Sequence, residues 1–390
     1  MSASHTPVRS LYVHVPFCAA KCEYCAFFSE PSNGEQMNRY VEALIREMEL
    51  VAPSLRPRTV FFGGGTPSLL STAQWRRILG AMERLDLLGA AEWTVECNPA
   101  TVSAEKARLL REHGVNRISM GVQSLDEGLL NRLGRIHSRE MVFKSFDRLR
   151  AAGFDNINLD LMFAIPGQTM DIWKATMAEV IAMGSEHLSC YEVIYEEDTP
   201  LYEQLQADEF DVDEALACAM YDELVDTAAA AGFAQYEVAN LAKHDGEPSA
   251  ELPSRACQHN VNYWRGGASQ ALGPSATGYV DGRRIRNIAN TERYCKQLAL
   301  GQRAHESVEQ LSPLASAGET AAFGLRMNAG WPFKLFEQTT GHDLRTGWAG
   351  DMQRAVESGW GVRSDDRFHL TRLGMRFADT VAEWFIRSEG

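Results

Sequence analysis

The sequence predicts an α/β protein: a partial (β/α)6 barrel followed by a C-terminal α+β extension that includes a winged-helix-like module. Three observations carry this. Strand-like and helix-like segments alternate six times through the first half of the 390 residues. Several helical segments stop at a glycine (Gly114, Gly153, Gly184), the residue that most easily takes the left-handed conformation of a helix C-cap. Polar or glycine-rich groups recur where the strands end. Such alternation implies a parallel sheet with right-handed crossovers, and its functional groups collect at the carboxyl ends of the strands.

Taken in order, the first strand covers 11–15 (Leu-Tyr-Val-His-Val) and runs into Cys18-Ala-Ala-Lys-Cys22-Glu-Tyr-Cys25. A helical pattern at 36–51 leads to the second strand, 59–62, which ends in Gly63-Gly64-Gly65-Thr66-Pro67. Helix 72–85 and strand 92–96 follow, closing on Glu96-Cys97-Asn98-Pro99. Helix 103–112 precedes the fourth strand, 117–120, with Gln123 just beyond it. Helix 139–151, a fifth strand at 156–161 bearing Asp160, helix 169–183 and a sixth strand at 187–193 complete the barrel. A glycine triplet alone is weak, because glycine serves any tight turn. Five such strand ends in register with a cysteine loop are a strong signal.

The second half changes texture. An acidic amphipathic helix at 213–232, a short strand at 234–238 and a Pro/Ser/Glu-rich stretch at 243–256 precede Cys257-Gln258-His259-Asn260-Val261-Asn262-Tyr263-Trp264. A glycine-rich run extends to Gly278. Several helices are expected from 305 onward, with a hairpin near 360–370 and a terminal helix at 371–386 capped by Thr371. The expected domains are 1–235, 236–304 and 305–390.

Three cysteines within eight residues are too close for disulfide pairing to be attractive, and one would be left over. They also fall short of the four ligands of a structural zinc site. They suit a [4Fe–4S] cube held by three thiolates, whose fourth iron stays open to an external ligand. The remaining cysteines (Cys97, Cys190, Cys218, Cys257, Cys295) are scattered singly and read as small core hydrophobes in a reduced, cytoplasmic setting. Net charge is −14, from 38 basic and 52 acidic residues, which disfavours nucleic-acid phosphates as partners. No run of about 18 apolar residues suggests a spanning segment, and the polar first ten residues do not look like a signal peptide.

The motifs together resemble the HemN/HemW branch of the radical S-adenosylmethionine (SAM) superfamily. The resemblance rests on Tyr12-Val-His-Val-Pro-Phe-Cys18, the Gly63 triplet, Glu96-x-Asn98-Pro99, Val122-Gln123-Ser124, Asp160-Leu-Met, Tyr236-Glu-Val and His259-Asn260-x-x-Tyr263-Trp264. It implies a radical SAM barrel in which Cys18, Cys22 and Cys25 ligate the cluster and SAM fills the open iron. Tyr12 and Tyr24 would line the cluster and SAM site, and Gly64, Gly65 and Thr66 would hold the amino-acid part of SAM. Glu96, Gln123, Arg135 and Asp160 match polar contacts to its ribose and carboxylate. The alternative for each of these four is an ordinary salt bridge at the barrel mouth. His14, in the first strand, reads as a residue packed at that mouth.

Within the branch, the resemblance separates two activities: oxygen-independent dehydrogenation of coproporphyrinogen III, and heme binding with delivery to acceptor proteins. The dehydrogenases carry a further cysteine where this chain has Phe27, and a longer leader than the 17 residues before Cys18. Spacing alone describes His259 as a loop histidine. The full motif implies a heme contact through His259, Tyr263 and Trp264, since imidazole ligates heme iron and aromatic rings face the macrocycle. The implied partners are heme, heme-acceptor proteins and a reductant such as a flavodoxin or ferredoxin; oligomeric state stays open. A heme-modifying radical SAM enzyme and a winged-helix regulator are the other readings.

Overall fold

The computed structural model describes residues 7–31, 33–245 and 251–387. Six parallel strands form the barrel wall in sequence order: β1 (Val8–Val15), β2 (Leu55–Gly64), β3 (Glu92–Cys97), β4 (Arg117–Gln123), β5 (Ile157–Phe163) and β6 (His187–Glu192). Most of their side chains are buried, because helices cover one face and the barrel interior the other; Arg56 and Arg58 early in β2 and Tyr191 and Glu192 at the end of β6 are exposed. The expected strands fall within one to four residues of these bounds.

The crossover helices are α1 (Gly34–Val51), α2 (Thr72–Arg84), α3 (Ala104–Glu112), α4 (Arg139–Ala151) and α5 (Met170–Ala182). Each begins at a residue whose side-chain oxygen accepts from the first turn: Asn33, Ser71, Ser103, Ser138 and Thr169. Their apolar stripes, such as Tyr40, Leu44 and Met48 on α1, pack on the sheet.

Three short strands widen the sheet to nine. Gln270–Leu272 runs parallel to β1, while Asn240–Lys243 pairs antiparallel with β6 and with Phe233–Gln235. The two outer edges do not pair with each other, so the barrel stays open.

Four details differ from the sequence reading. The strand expected at 234–238 ends at Gln235, and the chain turns back through Asn240–Lys243. The glycine-rich run contributes Gln270–Leu272 to the main sheet and Thr277–Val280 to a second sheet with Arg283–Asn287 and His305–Gln310; the last is a strand where helices were expected. The terminal helix is split into Arg372–Met375 and Ala378–Phe385, because Phe377 leaves helical geometry and stacks on Trp360 at 4.5 Å. Thr371 does cap the first piece, accepting from Gly374 N–H. Cys218 is exposed on helix Glu214–Ala230 and Cys295 half-buried, whereas Cys97, Cys190 and Cys257 are buried. The stretch 243–256 includes residues 246–250, which lie outside the described residues.

The main hydrophobic core runs from Val8 to Ala304 and includes Ile288, Tyr294 and Leu298. A second core, from Ala317 to Phe385, belongs to the C-terminal helices and the small sheet of Trp331–Pro332, Gly361–Arg363 and Arg367–Leu370. The expected hairpin is the wing of that module.

Candidate functional site

A cavity of about 430 Å³ opens at the carboxyl ends of the strands. Cys18, Cys22 and Cys25 line one wall, all unpaired and half-buried. The glycine loop after β2 is knitted to the cysteine segment: Gly65 N–H donates to Val15 O at 2.8 Å, and Thr66 N–H to Phe17 O at 2.7 Å. A Cβ on Gly65 would stand 2.7 Å from both of those carbonyl oxygens, so only glycine permits the contact. Thr66 Oγ1 donates to Cys18 Sγ (3.5 Å) and Arg135 Nη1 to Cys22 Sγ (3.3 Å). Both donors point at the sulfur atoms that line the cavity.

Among the described residues, no three His, Cys, Asp or Glu side chains converge to hold a single metal ion. A cube does not require that, since its three thiolates bind three different irons. The donor set therefore fits a three-thiolate cluster: half-open thiols, two hydrogen-bond donors to sulfur, and a cavity on the open side.

Opposite the cysteines lie Glu96, from the end of β3, and Asp160, from β5. Glu96 accepts from Gly64 N–H at 3.2 Å. Burial, and secondarily the nearby Asp160, push its carboxyl up to about 8. Burial also raises Asp160, which accepts from Asn158 Nδ2 (2.7 Å) and Ser119 Oγ (3.2 Å). Two half-buried acids on one cavity, one of them holding its proton to about 8, favour a ligand that brings positive charge or hydrogen-bonding hydroxyls. Tyr24, Gly64, Gln123 and Arg135 complete the lining. The Arg135 guanidinium is turned toward Cys22 and toward Gly121 O (2.7 Å), so its hydrogen bonds serve the cysteine wall.

Tyr12 does not line this cavity, though Glu96 acts on its hydroxyl. It lines a second cavity of about 460 Å³, with His14, Phe28, Phe61, His259, Asn260 and Tyr263. Ala26 and Phe27, directly after Cys25, are exposed and line both cavities. His14 is packed at the mouth, linking Phe28 O (2.9 Å) and Tyr12 Oη (3.1 Å).

His259 sits not in a loop but in a seven-residue helix, Gln258–Trp264, held inside the barrel. Its capping is supplied from β3, where Glu92 accepts from Gln258 and His259 N–H, each at 2.8 Å. The imidazole is 1% exposed and stacks on Phe61 at 5.1 Å. Nδ1 meets Ser10 and Thr59 hydroxyls at 3.1 Å; Nε2 meets Tyr263 Oη at 3.2 Å. Burial, then Arg117, lower its pKa to about 3, so the ring is neutral throughout the physiological range. Trp264 is not on this cavity: it packs against Phe323, with the Arg326 guanidinium over its ring at 5.2 Å.

Sequence reasoning missed a buried polar chain that joins the two regions. From Asp160 it runs through Asn158 to His187 Nδ1 (2.6 Å), on to Tyr236 Oη (2.8 Å), and to Cys257 N–H (3.1 Å) at the start of the His259 helix. Its signal was the period-two polar spacing of Asn158 and Asp160 within a strand otherwise apolar.

Comparison with known proteins adds the following. The family model described as the Radical SAM superfamily matches residues 12–180, and that of the HemN C-terminal domain matches 311–377. A protein named heme chaperone HemW from Escherichia coli is 37% identical over 395 residues, covering 97% of this chain and 98% of its own. One of the same name from Lactococcus lactis is 32% identical over 386 residues, covering 97% of each. The solved structure of Escherichia coli coproporphyrinogen III oxidase (HemN) superposes with a TM-score of 0.83 at 20% identity, covering 98% of this chain and 90% of that one; at this identity the likeness is one of fold.

Proposed function

The chain belongs to the HemW family of the radical SAM superfamily, and from that premise we propose that it is a cytoplasmic heme chaperone that binds a [4Fe–4S] cluster and SAM, and passes heme to acceptor proteins. The observation that carries the reading is a cysteine-walled, acid-lined cavity that shares Ala26 and Phe27 with an aromatic cavity containing a neutral histidine.

Cys18, Cys22 and Cys25 would hold the cluster, which when bound supplies an electron and an open iron to SAM. This chain's own residues prepare the site. Glu96 and Asp160 answer the cationic groups and ribose hydroxyls of SAM, and the glycine loop lets backbone polar groups reach its amino-acid part. Thr66 and Arg135 hydrogen-bond the Cys18 and Cys22 sulfurs and hold them in place. A reductant such as a flavodoxin or ferredoxin would serve the cluster.

On the heme side, His259 has the protonation state that iron ligation requires. Nε2 must first leave Tyr263 Oη, so heme entry opens that contact and sets the macrocycle among Tyr12, Phe61 and Tyr263. Trp264 acts from outside, anchoring the helix to Phe323 and Arg326. The test is an anaerobic heme titration of cluster-reconstituted protein. A saturable Soret change near one heme per chain, weakened at least tenfold in His259→Ala, is expected. Binding that ignores the substitution contradicts the reading.

The carboxylate-lined cavity supports a second reading, porphyrinogen dehydrogenation. Protoporphyrinogen formed anaerobically from coproporphyrinogen III, SAM and reductant would establish it; HemW-type function predicts none.

A further inference from the structure

The amino-terminal face of the barrel carries a cavity that neither the cluster side nor the His259 side uses. It measures about 580 Å³ and lies between the starts of β1, β2 and β3, the turns before β4 and β5, and the helix Gln258–Trp264. That helix divides the interior. Gln258, Val261, Asn262 and Arg265 follow the i, i+3, i+4, i+7 spacing of one face and line this cavity; His259 and Tyr263 face the other.

Four guanidinium groups line it (Arg9, Arg58, Arg255, Arg265) in a chain whose net charge is −14. Arg255 is committed: it pairs with Asp245 at 2.5 Å and donates to Asp155 O. Arg9 and Arg58 make no ion pair or hydrogen bond among the described residues. Arg265 is half-buried, donates to Gly330 O at 2.6 Å and lies over the Trp331 ring; among the described residues no carboxylate reaches it at ion-pair distance, Glu251 acting on it only from farther away. Burial accordingly pulls its pKa down. Neither acid on the wall pairs with Arg9, Arg58 or Arg265 among the described residues: Glu92 is spent on the helix N–H groups, and the exposed Asp155 lies beside Arg255.

We propose that this cavity binds a small polyanion, through carboxylate or phosphate groups gripped by Arg9, Arg58 and Arg265. Guanidinium forks match both groups bidentately. A bound polyanion supplies the charge that Arg265 lacks and braces the helix on the face opposite His259. The site is independent of the heme reading.

The test is anaerobic calorimetry on the full, cluster-reconstituted chain, with inorganic pyrophosphate and succinate as separate probes and the cluster absorbance followed alongside. Saturable binding of either probe near one per chain is expected, at least tenfold weaker in Arg9→Gln/Arg58→Gln and weakened by added salt. Both arginines are solvent-exposed, so the variant keeps the fold, which its melting curve checks. Pyrophosphate alone identifies the phosphate class, and succinate alone the carboxylate class. Absence of binding for both probes at millimolar concentration, or binding unchanged in the double variant, overturns the proposal.

Discussion

At the scale of single residues, the cavity is built against its own stability. Glu96 keeps its proton to about 8 in the folded chain, whereas an exposed glutamate releases it near 4.3. Between these values the native state binds the extra proton, so stability falls as pH rises. Glu96→Gln should therefore melt above wild type at pH 8 without ligand, with the gap closing toward pH 5, while SAM affinity drops at least tenfold. Equal melting at both pH values would show that Glu96 is not held protonated. Gly65 is the steric counterpart. Its neighbours are backbone oxygens, which cannot swing away, so Gly65→Ala should cost about 1–3 kcal/mol and impair cluster reconstitution, read from the iron content after assembly.

At the scale of elements, the strands and crossover helices were legible because their signals are local: apolar runs, capping serines and threonines, terminal glycines. The helix Gln258–Trp264 was not. It has no capping side chain of its own and relies on Glu92, 166 residues away from Gln258. No local pattern reports a cap delivered by tertiary packing. The cysteine wall and the acids could be read from strand ends, but Tyr12 and Trp264 could not be placed, since residues on one inward strand face can serve different cavities along its length and a helix spreads its residues around an axis. Tyr236 joins His187 to the Cys257 N–H in this buried region. Tyr236→Phe leaves both groups without their partner and should cost about 1–3 kcal/mol, measured by chemical denaturation. An unchanged midpoint would mean the chain of hydrogen bonds is not structural.

At the scale of the whole molecule, two hydrophobic cores are bridged by polar contacts from Arg265, Arg372 and Arg376 among others, and Arg326 adds to them. It reaches the buried Glu237 at 3.8 Å and Asp379 at 3.0 Å, and covers Trp264. Burial already raises Glu237. Arg326→Ala removes the opposing charge, so the native carboxyl rises further and stability should fall more steeply with pH, by ~2 kcal/mol near neutrality. A variant with wild-type stability from pH 5 to 8 would contradict this. Because Arg326 also holds the helix bearing His259, the C-terminal module is part of the architecture around His259 rather than an appendage. The sequence showed that module's hairpin but not this linkage, which depends on contacts between residues distant in the chain.

The most direct measurement is the axial-ligand signature of heme-loaded protein, by magnetic circular dichroism, in wild type, His259→Ala and Tyr263→Phe. Histidine ligation in wild type, its loss in His259→Ala, and tighter heme binding in Tyr263→Phe, where Nε2 is released from its hydroxyl partner, are the expected results. An identical signature in wild type and His259→Ala would contradict heme carriage by this motif.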